Sequence, residues 1–332
     1  MRIPGFTSER FTACEQAEST VKQLPEIELL LAAPRGFCAG VRRAIDAVSD
    51  ALALHGAPVY VRRPIVHNLA VVRSLEAQGA VFVDELDQVP HGGVVILSAH
   101  GVAPAVAEDA KTRGLIAYDA VCPLVAKVHR EVERHHKDGR HVLLIGHKGH
   151  PEIEGTLGHL PPGGATLIRE AADVDELELS HGQPAAYAVQ TTFSVGDSTA
   201  IISRLSSRFV NLAAPPASDI CYATSNRQAA VRAIAAEADA VIVVGESFSS
   251  NANRLAELAA QLCGSVQLVV DADAVEWDML PSSGTIGVTA AASTPEESVT
   301  AFLDALALRY RLRIRELAAA EESTAFKRVR VG

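Results

Sequence analysis

The stretch DAVCPLVAKVHREVERH, residues 119–135, places a cysteine at the junction between a loop and an amphipathic helix. The same design occurs in RGFCAGVRRAIDAVSDAL, residues 35–52, and in DICYATSNRQAAVRAIAAEA, residues 219–238. The cysteines at these junctions are Cys38, Cys122 and Cys221. Free cysteine is often simply a small core residue, but one cysteine at the same point of each helix indicates an internal repeat.

The pattern of strands and helices around each cysteine helix also recurs. From about Ile27 onward, strand patterns alternate with helical patterns, which is typical of βαβ units and a parallel sheet. Each repeat continues with a strand, a polar loop, a helix, two strands, a second polar loop, a helix and a strand that leads to the next cysteine. The first polar loops are VHN at 66–68, GHKGHPE at 146–152 and SFSSN at 247–251, and the second are SAH at 98–100, QTT at 190–192 and AAAS at 290–293. The sequence therefore predicts an α/β protein of three repeats.

The polar loops are expected to meet at one centre. Ligand crevices of parallel α/β sheets lie at the carboxyl ends of the strands, so the polar loops of each repeat belong on one side of its sheet. Three such edges facing a common cavity predict a pseudo-threefold trefoil. We expect repeat 1 at 40–122, repeat 2 at 123–217, repeat 3 at 27–39 with 218–312, a flexible N-terminal extension at 1–26 and a C-terminal tail at 313–332.

Composition and charge exclude several classes of protein. The 332 residues are 48% hydrophobic and 21% charged, which is typical of globular chains and not of disordered or fibrous ones. The longest apolar runs fall short of the roughly 18 residues that a membrane span needs. With 30 basic and 40 acidic residues, the net charge of −10 argues against non-specific binding to nucleic acid or to an anionic membrane.

Cysteine usage and the first residues favour a reducing compartment. The chain has five cysteines, an odd number at wide spacings, which is unlike a disulfide framework. Residues 1–25 have no apolar stretch ahead of a cleavage site, so no secretory signal is expected. We therefore predict a cytoplasmic protein. Cys14 is interpreted as a tail residue, and Cys263, which has no counterpart in the other repeats, as a packing residue.

The repeated cysteines are suited to a metal centre. Each lies just before a helix, where unpaired backbone N–H groups and the positive end of the helix dipole favour the thiolate, so we expect lowered thiol pKa values. Three converging thiolates suit either zinc or an iron-sulfur cluster in which one iron has no protein sulfur ligand. The residue chemistry leaves both open.

The polar loops supply neutral or switchable hydrogen-bond donors. Neither a G-x-G-x-x-G nor a G-x-x-x-x-G-K-[ST] motif occurs in the sequence, so nicotinamide and ATP are not indicated. A single loop histidine is more often structural than functional, and a serine before a helix is more often an N-cap. Their positions in the repeat favour an anion-binding role for His67, His100, His150, Thr191, Ser249, Ser250, Asn251 and Ser293.

Residues 27–312 resemble the 4-hydroxy-3-methylbut-2-enyl diphosphate reductases of the non-mevalonate isoprenoid pathway. The resemblance rests on PRGFCAGV at 34–41, VHN at 66–68, SAHGV at 98–102, CPLV at 122–125, GHPEIEGT at 149–156, QTT at 190–192, ICYATSNRQ at 220–228 and SSNANRLAELA at 249–259. It implies a trefoil of three αβα domains around a central iron-sulfur site, one 4Fe-4S cluster per chain. The implied activity is the reductive dehydroxylation of (E)-4-hydroxy-3-methylbut-2-enyl diphosphate to isopentenyl and dimethylallyl diphosphate.

The resemblance also implies roles for individual residues. Cys38, Cys122 and Cys221 match the cluster ligands, and Glu152 matches the catalytic acid. Thr191 is expected beside the substrate hydroxyl. The substrate, chiefly its diphosphate, would be bound by His67, His100, His150, Ser249, Ser250, Asn251 and Ser293. A ferredoxin or flavodoxin would supply the electrons.

Two other functions stay open at the level of sequence. A quinolinate-synthase-like dehydratase is similar in its repeats, its cysteines and its open-site 4Fe-4S cluster, but the histidine, serine and asparagine set suits a diphosphate better than a dicarboxylate. A non-catalytic iron-sulfur or zinc redox module would have no required role for Glu152 or Thr191.

The chain departs from the family pattern at two places. The family commonly has Lys-Asn before Ser-Ser-Asn, where this chain has Ser247-Phe248, preceded by Glu246. Ala291 stands where the family commonly has glycine, and it adds a Cβ atom to a loop. Both changes flank the expected diphosphate loops, so we expect an effect on affinity or product ratio.

Overall fold

The computed structural model describes residues 24–332 and divides them among three parallel β-sheets flanked by helices. The predicted N-terminal extension, except for its last residues, and Cys14 lie outside the described residues. The strands are β1 (Glu26–Ala33), β2 (Val59–Arg62), β3 (Ala80–Val83), β4 (Val94–Leu97), β5 (Ile116–Asp119), β6 (His141–Ile145), β7 (Ala165–Ile168), β8 (Ala185–Val189), β9 (Leu212–Ala213), β10 (Ala240–Val244), β11 (Val266–Val269), β12 (Gly284–Ala290) and β13 (Arg311–Ala318). The α-helices are α1 (Ala39–His55), α2 (Leu69–Ala77), α3 (Pro104–Thr112), α4 (Pro123–Lys137), α5 (Pro151–Leu157), α6 (Val195–Arg208), α7 (Tyr222–Ala235), α8 (Ser250–Ala260) and α9 (Glu296–Ala307).

Helix α1 shows how the sequence forms these elements. Its buried residues Ala44, Ala47, Val48 and Ala51 follow the spacing of one helical face, and they pack on the sheet that contains β2 and β4. The helix stops at Gly56, whose φ of 74° lies in the left-handed region that favours glycine. The central strands, in contrast, are buried on both faces, as all five residues of β10 show.

The three sheets share one order of four strands, except that the fourth strand of the third sheet comes from the start of the described chain and a fifth strand, β13, follows it. The orders are β3-β2-β4-β5, β7-β6-β8-β9 and β11-β10-β12-β1-β13. In the third sheet β1 takes the place of β5 and β9, and it leads to Cys38 as those strands lead to Cys122 and Cys221. A strand from the start of the described chain therefore completes the third repeat. The predicted α/β fold with pseudo-threefold symmetry is confirmed, whereas the exact domain boundaries stay predictions.

The predicted C-terminal tail, residues 313–332, begins within strand β13. Strand β13 pairs in parallel with β1 along its whole length, with Ile314 opposite Leu29. The boundary placed at residue 313 cuts through this strand, and residues 313–318 belong to the third sheet. β13 is an edge strand in which six of the eight residues are exposed and none is buried, and it carries charged residues such as Arg313 and Arg315. Such a strand has a weak apolar signal in the sequence.

None of the helices within residues 24–332 combines the length and the apolar character needed to cross a membrane.

Candidate active site

The three repeated cysteines cap three helices and line one cavity. Cys38, Cys122 and Cys221 are the N-cap residues of α1, α4 and α7, as the sequence predicts. The sulfur of Cys38 accepts a hydrogen bond from the backbone N–H of Val41, with a donor-acceptor distance of 3.4 Å. A Cβ added to Gly40 would lie 2.8 Å from the Cys122 sulfur and 3.8 Å from the Cys38 sulfur. The absence of a side chain at Gly40 therefore leaves space between thiols of different repeats.

The expectation of lowered thiol pKa values is wrong for two of these cysteines. Burial raises the pKa of Cys122 to about 12 and that of Cys221 to about 11, and the neighbouring thiols act in the same direction. Backbone N–H groups at the helix starts lower both values, but the loss of water outweighs them. The free thiols of these two residues are therefore protonated at neutral pH, and metal binding would release their protons.

The donor set fits an iron-sulfur cluster better than a single metal ion. Within residues 24–332, no three His, Cys, Asp or Glu side chains are grouped as the ligands of one ion would be. The thiols reach the cavity from three separate repeats. In a cluster, each thiolate binds a different iron atom. A cluster therefore suits ligands that surround a space and do not converge on a single metal ion.

A buried carboxyl faces the second polar loop of the second repeat. Glu152, in the first turn of α5, is only 2% exposed. Its Oε1 accepts a hydrogen bond from the Thr191 backbone N–H at 2.7 Å, and its Oε2 accepts one from the Thr191 hydroxyl at 2.8 Å. Burial raises the pKa of Glu152 to about 7 although both bonds to Thr191 lower it. A carboxyl that exchanges its proton near neutral pH is suited to general acid catalysis.

Three histidines from three loops form a compact group at the cavity. The ring centroids of His67 and His100 are 4.3 Å apart, and that of His150 lies 5.5 Å from His67 and 5.8 Å from His100. Burial lowers the pKa of all three and brings that of His150 to about 3. The rings are therefore neutral at pH 7.

The hydrogen bonds determine which nitrogen of His150 carries the proton. Its Nδ1 accepts a hydrogen bond from the Glu152 backbone N–H at 3.2 Å, so the proton of the neutral ring is on Nε2. That Nε2 is buried and has no partner, and neither has Nε2 of His67. A buried donor without an acceptor is costly, so the Nε2–H of His150 indicates a ligand that offers hydrogen-bond acceptors.

The third repeat contributes hydroxyl and amide groups. Asn251 accepts a hydrogen bond from the Ala292 backbone N–H at 2.9 Å through Oδ1, which leaves its buried Nδ2 without a partner. The Ser293 hydroxyl donates to the His67 carbonyl at 3.0 Å, and Ser249 caps α8. The Ser250 hydroxyl lies 3.3 Å from that of Thr192. Loops of the first and third repeats are thus joined at the cavity.

A single cavity brings together every predicted site residue. Its lining includes Cys38, His67, His100, Cys122, His150, Glu152, Thr191, Cys221, Ser249, Ser250, Asn251 and Ser293. Apolar side chains such as Val41, Val66 and Leu124 line it as well. Polar donors, soft sulfur atoms and an apolar wall therefore share one space, as a ligand with an anionic group and a hydrocarbon part requires.

Comparison with known proteins supports the same family. Residues 29–307 match the family model described as LytB protein. The chain belongs to the LytB family. A curated LytB-family relative from Beijerinckia indica, named 4-hydroxy-3-methylbut-2-enyl diphosphate reductase, is 50% identical over 304 residues, which are 91% of this chain and 95% of the relative. The family resemblance drawn from the sequence motifs is confirmed.

Solved structures agree with the LytB fold. The E-1-hydroxy-2-methyl-but-2-enyl-4-diphosphate reductase from Plasmodium falciparum is 38% identical, with a TM-score of 0.86 over 91% of this chain and 96% of that one. A structure titled as (E)-4-hydroxy-3-methyl-but-2-enyl diphosphate reductase, the terminal enzyme of the non-mevalonate pathway, is 28% identical. Its TM-score is 0.62, and the match covers 85% of this chain and 99% of that one.

The two departures from the LytB pattern lie in different surroundings. The ring of Phe248 contacts the His67 ring edge-on, with centroids 6.0 Å apart, and it is 48% exposed. Ala291 is fully buried and does not line the cavity, and a Cβ added to Gly245 would lie 3.1 Å from the Ala291 Cβ. Ala291 also has no left-handed backbone. The expected effect on the diphosphate loops is thus supported by geometry for Phe248 and not for Ala291.

Sequence reasoning missed two polar residues of the cavity, Thr192 and Thr224. Thr192 accepts a hydrogen bond from the Gln190 side chain at 2.7 Å, and its position in the QTT loop was the available signal. Thr224 has its hydroxyl 3.2 Å from the Cys221 sulfur. Its signal was the one-turn spacing from the cysteine, which places a side chain of α7 over the N-cap.

Proposed function

We propose that this LytB-family chain catalyses the reductive dehydroxylation of (E)-4-hydroxy-3-methylbut-2-enyl diphosphate to isopentenyl and dimethylallyl diphosphate. The observation that carries the proposal is the single cavity in which three thiols, a carboxyl with a pKa of about 7 and unpartnered donors meet. The names of the relatives support it. The conversion consumes two electrons and two protons and releases water.

The proposed cofactor is one 4Fe-4S cluster per chain, held by Cys38, Cys122 and Cys221. When bound, such a cluster supplies single electrons and an iron that acts as a Lewis acid toward the allylic hydroxyl. A ferredoxin or flavodoxin is the proposed electron donor, and a cytoplasmic location stays a prediction.

The diphosphate would be bound by neutral donors. His67 and His150 have buried Nε2 atoms without partners, and Asn251 has a buried Nδ2 in the same situation. Diphosphate oxygens are acceptors that satisfy such groups. Their negative charge would also raise the pKa of the neighbouring imidazoles, because an opposite charge favours the protonated ring.

The proton would travel through Thr191. Its hydroxyl both donates and accepts, so its 2.8 Å contact with Glu152 can carry a proton from the carboxyl to the departing hydroxyl. The backbone N–H of Thr191 fixes the other carboxyl oxygen at 2.7 Å and so holds the carboxyl in place. The C–O bond would break as the hydroxyl gains this proton and leaves as water, while the two electrons and the second proton form the new C–H bond.

The two alternatives have less support. Family membership and the unpartnered histidine and asparagine donors favour a diphosphate over the dicarboxylate of a quinolinate-synthase-like enzyme. A non-catalytic iron-sulfur or zinc redox module would have no required role for a buried carboxyl that accepts two hydrogen bonds from a threonine.

The direct test is anaerobic turnover of the diphosphate with a low-potential reductant. We expect both product isomers, detected by mass spectrometry, from reconstituted protein and none from the same protein without iron. Isopentenyl diphosphate offered as substrate is the control, since it has no hydroxyl to lose. A reconstituted protein that leaves the candidate substrate unchanged would contradict the proposal.

The space beside Gly40 gives a further prediction. We expect Gly40→Ala to lower the iron content by at least about half, since the added methyl would lie 2.8 Å from the Cys122 sulfur and core overpacking costs roughly 1–3 kcal/mol. Gly196→Ala is the matched control, because Gly196 also lies in the first turn of a helix and the nearest atom to its added Cβ is 3.9 Å away. Iron analysis and circular dichroism would measure both effects. Full iron loading of Gly40→Ala would contradict the prediction that the space beside Gly40 is needed for the cysteine thiols to bind the cluster.

His150 gives a prediction about binding. We expect His150→Asn to weaken substrate binding about tenfold or more, the loss associated with one hydrogen bond to a charged group, with iron content unchanged. Asparagine can still cap α5 but lacks the Nε2 donor. His181→Asn, at an exposed position, is the control. Anaerobic substrate titration would report the change, and unaltered affinity would exclude His150 from diphosphate binding.

A further inference from the structure

We propose that the C-terminal segment, residues 319–332, ties the three cysteine loops together and that Glu322 is a positioning residue for them. The inference rests on the proposed cluster site, because its consequence is the spacing of the cluster ligands. The segment follows β13, and its first residue, Ala319, donates a backbone hydrogen bond to Ala33 at 2.7 Å. Beyond that point it has no helix or strand.

The first attachment is a buried arginine. Arg227 lies in α7, the helix capped by Cys221, and its side chain is fully buried. Its Nε and Nη2 donate to the Gly36 carbonyl at 3.1 and 2.7 Å, and its Nη1 donates to the Ala223 carbonyl at 3.0 Å. Gly36 lies just before Cys38. Arg227 therefore joins the helix of one cysteine to the loop of another.

Glu322 supplies the charge that Arg227 needs. Its two carboxylate oxygens accept from Nη1 at 2.8 Å and from Nη2 at 3.4 Å. Asn226 donates to the same carboxylate at 3.1 Å. Among the described residues, Glu322 is the one carboxylate in a salt bridge with Arg227. A buried charge that loses its partner is strongly destabilising, because no water replaces the lost interaction.

The second attachment joins the helix of Cys38 to the loop of Cys122. Arg43 lies in α1, the helix capped by Cys38, and its Nε donates to the Lys327 carbonyl at 2.9 Å. Its Nη1 donates to the Val121 carbonyl at 2.8 Å, directly before Cys122. The segment thus runs from α7 of the third repeat to α1 of the first repeat, and Arg43 links it to the loop of Cys122.

Contacts beyond Lys327 hold the segment on the first repeat. Arg328 forms salt bridges with Asp46 at 3.4 Å and with Asp50 at 3.0 Å, both on α1. Val329 and Val331 pack against the apolar core of that repeat. Each repeat has its own apolar core, and only Val329 and Val331 of the segment pack against one of them. What it adds is a link between loops of different repeats.

The test compares Glu322→Gln with Glu321→Gln. Glutamine at position 322 keeps the shape but removes the charge that Arg227 needs, and the neighbouring Glu321 forms no side-chain hydrogen bond or salt bridge within residues 24–332. In the iron-free protein we expect amide hydrogen exchange at residues 34–40 to be about tenfold or more faster in Glu322→Gln than in Glu321→Gln, because local opening becomes easier. The contacts described above do not involve β6 or β8 of the second repeat. Amide exchange in these two strands should therefore be equal in the two variants.

The loaded protein gives a second measurement. We expect a chelator to remove iron about tenfold or more faster from Glu322→Gln than from Glu321→Gln, with KM changed less than about twofold. A general loss of stability would instead speed exchange in all three sheets. Equal exchange at residues 34–40, or acceleration spread through all three sheets, would overturn the proposal.

Two further outcomes are informative. If Glu322→Gln does not fold, Glu322→Asp serves in its place, because its shorter side chain keeps the charge but cannot reach both Nη atoms, and unchanged exchange at residues 34–40 would overturn the proposal. If the wild-type protein shows no turnover while the exchange difference persists, the proposed function is wrong and the role of the segment stands.

Discussion

Replacement of Cys38, Cys122 or Cys221 singly by serine is expected to abolish iron loading and turnover while leaving the fold intact. Each cysteine is the N-cap of its helix, and serine is among the best N-cap residues, so the helix start is preserved. The soft thiolate that iron prefers is lost, because a serine hydroxyl is a hard and weakly acidic ligand. Iron analysis, the visible spectrum and circular dichroism together would separate loss of metal from loss of fold.

Cys263→Ser is the matched control for these variants. Cys263 is buried in the core of the third repeat, and its sulfur donates to the carbonyls of Ala238 and Ser265 at 3.4 Å. Serine can make the same hydrogen bonds, so full iron content is expected. Equal iron loss in Cys263→Ser, or full loading in any variant of the three cavity cysteines, would refute the assignment of ligands by repeat position.

Glu152→Gln is expected to lower turnover by at least about a hundredfold, the scale associated with removing a general acid. Glutamine keeps an acceptor for the Thr191 N–H and places an amide beside the Thr191 hydroxyl, so the geometry changes little. It cannot deliver a proton. Iron content and substrate affinity should stay near those of the wild type, as measured by iron analysis and anaerobic titration.

The dependence of the turnover rate on pH tests the role of Glu152 independently. Burial raises the pKa of Glu152 to about 7, so the acid is protonated below that pH and ionised above it. The wild-type rate should therefore decline as pH rises through about 7, and the residual rate of Glu152→Gln should lack this step. Glu154→Gln is the control, since Glu154 is on the same helix but forms an exposed salt bridge with Arg63 at 2.7 Å. Near-normal turnover of Glu152→Gln would remove Glu152 from the mechanism.

The repeat could be predicted from the sequence because its signals are local. A cysteine before an amphipathic helix depends on neighbours within a few turns, and the polar loops depend on the ends of apolar strands. The circular shift that brings β1 into the third sheet followed from the same counting, since each cysteine needs a strand before it. The family motifs then attached chemical roles to these positions.

Such local patterns could not predict the contacts between residues that are distant in the sequence. Glu152 of α5 and Thr191 of the QTT loop are distant in the sequence, and the raised pKa of Glu152 depends on the residues that bury it. The thiol pKa values differ from the expectation for the same reason, since desolvation outweighs the helix N–H groups at Cys122.

The sequence by itself determined the strand and helix order, the helix caps and the residue types that face the cavity. The tertiary structure alone decided which of these side chains touch, which lose their water, and that Glu322 meets the buried Arg227. The physical reason is that secondary structure follows from local spacing along the chain. Burial and charge pairing depend on residues that are distant in sequence and become neighbours only when the repeats assemble.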